Sequence, residues 1–182
     1  MMGKDDYAIV LDFLPNGYPF DSKPMHRKTP VVQAIGKTSF AILELVPRRE
    51  TGLKSGDEVY IGDAKREQIH HVMGRIPLSK LTQTARGELE FVLKDMIEKN
   101  NQKYIDFFNK SGAISTRMHQ LELLPGIGKK HMWEIIERRD EKPFENFDDI
   151  RKRVKLLPNP EKAILKRILA ELNEEDKYKL FT

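Results

Sequence analysis

The residues best suited to chemistry lie at 125–130, where the sequence reads Pro-Gly-Ile-Gly-Lys-Lys. Pro125 ends a preceding helical pattern, because proline lacks an N–H and disfavours helical geometry in the residue before it. Gly126 can enter left-handed backbone conformations without penalty. A second helical pattern follows at once, so its first N–H groups are unpaired beside Lys129 and Lys130. Open amides, a helix dipole and cations together predict a site for an anion such as a phosphate.

The segment Leu124-Pro125-Gly126-Ile127-Gly128 resembles the helix-hairpin-helix motif. The resemblance implies that the turn amides reach a phosphate oxygen of a nucleic-acid backbone and that Ile127 inserts into the hairpin core. It also allows a potassium or sodium ion at the hairpin carbonyls. The family often has proline where Lys129 stands and alanine where Met132 stands, which predicts a wider helix crossing here. The alternative is an ordinary helical hairpin whose glycines serve only the turn. The predicted phosphate contacts at this hairpin are Gly126, Ile127, Gly128, Lys129 and Lys130.

An internal repeat extends this pattern over residues 115–182. Leu123-Leu124-Pro125 recurs as Leu156-Leu157-Pro158, and each copy precedes a predicted helix, 129–139 or 160–172. The whole resembles the tandem helix-hairpin-helix domain, in which two motifs grip both strands of a duplex. In the second copy Asn159-Pro160-Glu161 replaces the glycine-apolar-glycine turn, with Asn159 and Pro160 well placed to begin a helix. The second hairpin is therefore predicted to be structural, and RNA is preferred over duplex DNA.

Positive charge is concentrated in one stretch, 151–167, although the net charge of the chain is only +4. Glu161 is the one acidic residue in this stretch. We expect its basic side chains to contact phosphates next to the hairpin, and the alternative is a solvated helix face. These side chains are Arg151, Lys152, Arg153, Lys155, Lys162, Lys166 and Arg167.

The N-terminal part reads as a small closed β-barrel. Five short apolar segments, separated by turns rich in glycine and proline, predict strands at 7–13, 31–35, 40–46, 59–61 and 70–76. Residues 53–62 are similar to the turn and strand common in oligonucleotide-binding barrels, and the long loop 15–30 is expected to bind or cap. Exposed cations and an aromatic ring would contact a single strand, with Tyr60 in the core as the alternative. The candidate contacts are Arg27, Lys28, Arg48, Arg49 and Tyr60.

The predicted fold class is α+β, with three parts. An OB-like barrel at 1–77 is followed by a helical connector at 78–114, with Gly112 as a helix cap, and by the tandem hairpin domain at 115–182. This order also resembles an uncharacterised archaeal family predicted to bind RNA or nucleotides.

Several kinds of site are not predicted. The absence of cysteine excludes disulfides and thiolate metal sites. The histidines have no metalloprotease spacing, and His70 and His71, adjacent on a strand, are expected to face opposite sides. No carboxylate cluster suggests a nuclease, so we predict no catalytic residues, no metal ligands and no cofactor. The acidic start and the lack of long apolar runs predict a cytoplasmic protein without a membrane partner.

The sequence therefore favours non-catalytic, sequence-independent binding of nucleic acid. One alternative is a protein-interaction or dimerisation scaffold, because tandem hairpins also occur as dimerisation modules. Another is a nucleic-acid-modifying enzyme whose site assembles only in three dimensions, and it predicts a cleft with convergent polar residues near the barrel. The sequence makes no prediction of the oligomeric state.

Overall fold

The structure is a computed structural model that describes residues 4–182, and it divides into two compact units. The first unit ends at Val92 and also includes Thr182, while the second comprises Leu93–Phe181. The segment predicted as a connector, 78–114, thus contributes to both units. The architecture is α+β, as predicted, with the strands in the first unit and most of the helices in the second.

Each of the five predicted strands is present in the first unit. Their bounds are β1 (Tyr7–Leu14), β2 (Val31–Gly36), β3 (Ile42–Pro47), β4 (Glu58–Tyr60) and β5 (Ile69–Arg75). All neighbouring pairs are antiparallel, and the order is β4-β1-β2-β3-β5. The sheet curls into an open half-barrel, whereas the sequence predicted a closed barrel. The reason is that β4 has three residues and, within residues 4–182, pairs with β1 and no other strand.

The core of the sheet consists of aliphatic side chains from every strand. Such side chains pack well on a pleated surface, and their removal from water stabilises the sheet. The buried members include Ala8, Val10, Val32, Ala34, Leu43, Leu45, Val59 and Ile69.

A bulge in β5 corrects the expectation for His70 and His71. In the β3–β5 pair Val46 is opposite His71, but Pro47 is opposite Ile69, so that His70 is an extra residue in the ladder. The bulge interrupts the alternation of side chains. As a result the Nδ1 atoms of the two histidines lie 2.8 Å apart and do not face opposite sides.

Five α-helices follow the sheet. Their bounds are α1 (Gln83–Lys99), α2 (Asn101–Lys110), α3 (Lys129–Glu141), α4 (Phe147–Arg153) and α5 (Pro160–Leu172). The predicted bounds of α5 are confirmed. The predicted cap of α2 at Gly112 is wrong, because the helix already ends at Ser111 in a conformation with ψ of 149°. Among the residues that the structure describes, every helix is too short or too polar to span a bilayer.

The helix predicted before Pro125 is a single 3-10 turn, Gln120–Leu123. A β-bridge joins Ala113 to His119, which is extended and directly precedes this turn. The Leu121 N–H donates a hydrogen bond to Nδ1 of His119 at 3.1 Å, so His119 is the N-cap of the turn. Four residues are therefore all that remain for helical structure between the bridge and the hairpin.

Aromatic and aliphatic side chains form the core of the second unit. The ring centroid of Phe181 lies 5.4 Å from that of Tyr104 and 5.1 Å from that of Phe107, in edge-to-face geometry. Buried aliphatic residues from the helices and the hairpin complete this core, and they include Leu121, Leu124, Ile135, Ile150, Ile164 and Ile168.

Candidate nucleic-acid interface

The turn at 125–128 is a tight glycine turn with an apolar residue pointing inward. Gly126 has φ of +84°, a conformation that glycine adopts without penalty. The Ile127 N–H donates to the Leu124 carbonyl at 3.1 Å, and the Ile127 side chain is buried. Gly126 and Gly128 are exposed, so the turn backbone is open to solvent.

The N-terminus of α3 is uncapped. Gly128 occupies the cap position in an extended conformation and has no side chain that could accept a hydrogen bond. The first helical hydrogen bond joins the Met132 N–H to the Gly128 carbonyl at 3.0 Å. Within residues 4–182, the N–H groups of Lys129, Lys130 and His131 have no acceptor. The first turn of α3 therefore presents donors that an anion could satisfy.

The next two helices, α4 and α5, are each capped at the N-terminus by the side chain of an asparagine. The Asp149 N–H donates to Oδ1 of Asn146 at 2.7 Å at the start of α4. The Lys162 N–H donates to Oδ1 of Asn159 at 3.1 Å at the start of α5, where Pro160 has no N–H to offer. Of these three helices, α3 alone has no side chain that caps its first turn.

The two lysines beside the turn differ in whether their side chains interact with other groups of the protein. Nζ of Lys129 donates to the Arg117 carbonyl at 3.2 Å and to the Glu122 carboxylate at 3.1 Å. Lys130 is exposed and has no partner in the described part of the chain. Trp133, three residues further along α3, is 63% exposed. Of the two lysines, Lys130 is therefore the one with a free side chain, and an aromatic side chain lies on the same helix face.

Arg167 does not belong to the predicted basic face. Its side chain is buried, with Nε 2.9 Å from the Glu171 carboxylate and Nη2 donating to the Tyr178 carbonyl at 2.6 Å. Nη1 lies 3.2 Å from the Asp176 carboxylate. The charge alone suggested a surface contact, but this guanidinium joins the C-terminal segment to α5.

Two further arginines of the stretch 151–167 are also engaged within the protein. Arg153 donates to the carbonyls of Arg138 and Lys142, where α3 ends, and its guanidinium lies 4.7 Å from the centroid of the Phe144 ring. Arg151 forms ion pairs with Asp148 and Glu161. The exposed lysines without a partner in residues 4–182 are Lys152, Lys155, Lys162 and Lys166.

The loop between α4 and α5 lies against the first hairpin. A β-carbon added to Gly126 would come within 3.0 Å of Cγ of Pro158. Leu156, which precedes this proline, is 90% exposed and has φ of +63°. The packing brings the loop that carries Lys155 next to the turn at 125–128.

The predicted contacts of the sheet lie in different places. Arg27 and Lys28 lie in or after a 3-10 turn of the β1–β2 loop, while Arg48 and Arg49 follow β3. Nε of Arg48 donates to the Arg66 carbonyl at 2.7 Å. The Tyr60 hydroxyl accepts a hydrogen bond from the Ala64 N–H at 3.0 Å and its ring packs edge-on against Tyr7. Arg48 and Tyr60 thus stabilise the β4–β5 loop. Of the predicted contacts in this unit, Arg27, Lys28 and Arg49 are the cations whose side chains have no partner among residues 4–182.

Two features of the first unit were missed from the sequence. Phe20 in the β1–β2 loop is almost fully exposed, and a Tyr-Pro-Phe segment in a long polar loop was the available signal. A cleft of about 440 Å³ lies beside β5, and no sequence spacing indicates it because its lining comes from several segments. Its apolar lining is Ala41, Leu43, Ile61 and Val72, and its charged lining includes Asp6, Asp63, Arg66, His71 and Arg75.

The described residues contain no group of three or more histidine, aspartate or glutamate side chains arranged to hold a metal ion. At the hairpin itself, the Leu123 carbonyl already accepts a hydrogen bond from Nη1 of Arg167 at 3.4 Å. The monovalent ion at the hairpin carbonyls stays a prediction.

Comparisons with known proteins reveal relatives over nearly the whole chain. The family described as "Protein of unknown function (DUF655)" matches residues 4–182. The uncharacterized protein MJ0038 of Methanocaldococcus jannaschii is 43% identical over 179 residues, which are 97% of this chain and 79% of that protein. The crystal structure of Af1531 from Archaeoglobus fulgidus, also assigned to DUF655, is 47% identical with a TM-score of 0.92, covering 98% of this chain and 99% of the other. This likeness supports the α+β architecture.

Proposed function

This chain belongs to the DUF655 family of archaeal proteins described as of unknown function, and from its own geometry we propose that it is a non-catalytic, sequence-independent nucleic-acid-binding protein. In this proposal the hairpin at 125–128 and α3 form one helix-hairpin-helix motif. A phosphate of the ligand accepts hydrogen bonds from the first-turn amides of α3, and Lys130 lies beside it.

The observation that carries this proposal is the uncapped start of α3. An N-terminal asparagine, as at α4 and α5, satisfies one donor and stabilises a helix by a few tenths of a kcal/mol, on the order of 0.3 kcal/mol, relative to glycine. Gly128 has no side chain that could form this hydrogen bond, so the first N–H groups of α3 remain open to solvent. An anion that binds there gains both the hydrogen bonds and the positive end of the helix dipole.

The exposed lysines extend the proposed surface along the backbone of the ligand. Lys155 lies in the loop that packs against Gly126, and Lys162 and Lys166 follow on α5. Together with Lys130 and Lys152 they are the lysines of the described residues 115–182 whose side chains have no internal partner. Neutralising about five phosphates of a single strand would make log affinity fall against log salt with a slope of about −3.5.

We propose RNA, or another single strand, as the preferred ligand. The second hairpin lacks the donors needed to hold the second strand of a duplex, because Asn159 caps α5 and Pro160 has no N–H. The curled five-stranded sheet is compatible with a partly open OB-like barrel, whose loops contact oligonucleotides in that fold. Arg27 and Lys28 on the β1–β2 loop, together with Arg49, would contact the strand there.

The test is a comparison of three labelled ligands of equal length at two salt concentrations. Fluorescence anisotropy would follow the binding of single-stranded RNA, single-stranded DNA and duplex DNA to the whole chain. We expect binding of all three at low salt, tightest for RNA, with loss of affinity at high salt. Salt-independent binding, or no binding at low salt, would contradict the proposal.

A second candidate function, a nucleic-acid-modifying enzyme, is favoured by the cleft beside β5. Its volume of about 440 Å³ and its lining of both apolar and charged side chains are compatible with a small-ligand site. Asp63 and Arg75 are exposed members of the lining without an ion-pair partner among residues 4–182. Incubation of labelled RNA and DNA with the protein, followed by separation of the products, tests this candidate, and unchanged substrates with every divalent cation tried would count against it.

A further inference from the structure

The β1–β2 loop, residues 15–30, is pinned at its base. The Gly17 N–H donates to the Leu14 carbonyl at 3.1 Å, and a β-carbon on Gly17 would lie 2.8 Å from the Thr29 carbonyl oxygen. The two ends of the loop therefore lie against each other. A second turn follows, in which the Asp21 N–H donates to the Tyr18 carbonyl at 3.1 Å, and Phe20 lies within it.

Tyr18 anchors this loop to the sheet. Its hydroxyl donates to the Glu44 carboxylate on β3 and accepts a hydrogen bond from Nε2 of the buried Gln33 at 3.1 Å. Burial, together with the Glu44 carboxylate, raises the pKa of Tyr18 to about 12. Two hydrogen bonds therefore hold the hydroxyl, and with it the ring, against the sheet.

Phe20 stacks on this anchored ring. The two ring centroids are 5.0 Å apart and the planes differ by 11°. Phe20 is nevertheless 82% exposed, so most of its ring surface, including the face directed away from Tyr18, is open to solvent. The pair thus forms an aromatic platform with an open π face on Phe20.

The charges of the same loop are predominantly positive. Lys23, Arg27 and Lys28 have no side-chain partner within residues 4–182. The carboxylate of Asp21 accepts a hydrogen bond from the Lys23 N–H at 2.9 Å and is partly buried. An anionic ligand is therefore favoured at the platform over a neutral or basic one.

We propose that an unpaired nucleobase stacks on the open face of Phe20 while Arg27 and Lys28 contact the flanking phosphates. This inference rests on the proposed nucleic-acid binding and names its ligand as a single strand, because a base inside a duplex has both faces covered. Stacking accepts every base, so the contact is independent of sequence. RNA and DNA strands share this chemistry.

The test uses the whole chain and a labelled oligoadenylate, as RNA and as DNA, with a blunt DNA duplex for comparison. Phe20→Ala and Phe20→Leu should each weaken single-strand binding about tenfold, whereas Phe20→Trp should retain it. The matched control is Phe91→Ala on α1, since Phe91 is 73% exposed in the same unit and should not affect binding. None of these substitutions removes a charge, so the salt slope should not change. Thermal melting checks that each variant is folded.

The outcomes separate this inference from the proposed function. If Phe20→Leu binds as well as wild type, the site is at most an apolar contact for another protein and the inference is overturned. If Phe20→Ala has no effect while Lys130→Ala weakens binding, the inference fails and the hairpin function stands. If Phe20→Ala weakens single-strand binding but hairpin variants have no effect, the inference stands and the hairpin function fails. Absence of binding by the wild type overturns both.

Discussion

Gly126 and Pro158 lie against each other, with 3.0 Å between a β-carbon built on the glycine and Cγ of the proline. Gly126 directly follows the first copy of the Leu-Leu-Pro repeat and Pro158 ends the second copy, so the turns that the repeat predicts pack together. The contact places the loop of Lys155 beside the turn at 125–128. It also makes Gly126 the residue whose replacement should disturb both stability and binding.

Gly126→Ala should lower the free energy of unfolding by about 1–2 kcal/mol. A left-handed conformation is unfavourable for alanine, and the added methyl group meets Pro158. The measurement is chemical denaturation, with Gly52→Ala as the control because its β-carbon would enter open space. Equal stability of Gly126→Ala and wild type would show that the two turns are not packed in this way.

The two hairpin lysines should contribute unequally to binding. Lys130→Ala should weaken single-strand binding about threefold to fivefold and make the salt slope less steep by about one. Lys129→Ala should have a smaller effect, since Nζ of Lys129 already interacts with Glu122 and the Arg117 carbonyl. Anisotropy titrations at four salt concentrations measure both quantities, and a larger effect at Lys129 would contradict the assignment.

Arg167→Ala should destabilise the protein by about 3–5 kcal/mol, because it removes the guanidinium that pairs with the buried Glu171 carboxylate. Lys166→Ala, at the neighbouring exposed position, should change stability by less than about 0.5 kcal/mol and weaken nucleic-acid binding. Thermal and chemical denaturation distinguish the two roles. A stable Arg167→Ala variant with weakened binding would indicate that Arg167 contacts the nucleic acid.

Stability should fall as the pH decreases from 7.5 to 5.5, in part because of His119. Burial, with a further contribution from Arg139, holds the pKa of His119 below its ordinary value of 6.5. Below pH 6.5 the unfolded chain takes up a proton that the folded chain does not, so the folded state loses stability. The neutral ring also accepts the Leu121 N–H, a role that a protonated Nδ1 cannot fill.

His119→Asn is the matched variant for this prediction. Asparagine can cap the same N–H but does not titrate, so the difference in stability between pH 7.5 and 5.5 should decrease. Denaturant unfolding at both pH values measures it. The same pH dependence in wild type and variant would assign the effect to other groups.

The elements with strong local signals could be predicted from the sequence. The start of α5 follows from Asn159 and Pro160, and the strands follow from β-branched runs between glycine and proline turns. Features that depend on a tertiary partner could not be predicted. The turn before Pro125 is 3-10 because a bridge from Ala113 shortens it, and His70 is displaced by a bulge in the pairing of β5 with β3.

The candidate site was predictable in part for the same reason. Glycine at 126 and 128 indicates an uncapped, sharply turned entry to α3, a local property. The tertiary structure decides which cations are free to contact a ligand. Arg151, Arg153 and Arg167 form hydrogen bonds or ion pairs with residues up to 44 positions away in sequence. Charge counting therefore overestimates the basic face.

The most direct test of the account is the substitution Gly128→Asn, with stability and single-strand affinity measured on the same sample. Gly128 has an extended conformation with open space at its β-carbon, so asparagine fits and can cap a first-turn N–H of α3. We expect a free energy of unfolding higher by a few tenths of a kcal/mol and an affinity lower by about fivefold to tenfold, because the cap occupies a donor that the phosphate needs. Gly128→Ala, which adds no acceptor, should retain the affinity. A stabilised Gly128→Asn variant that binds as tightly as wild type would contradict the central claim that the open amides of α3 hold the phosphate.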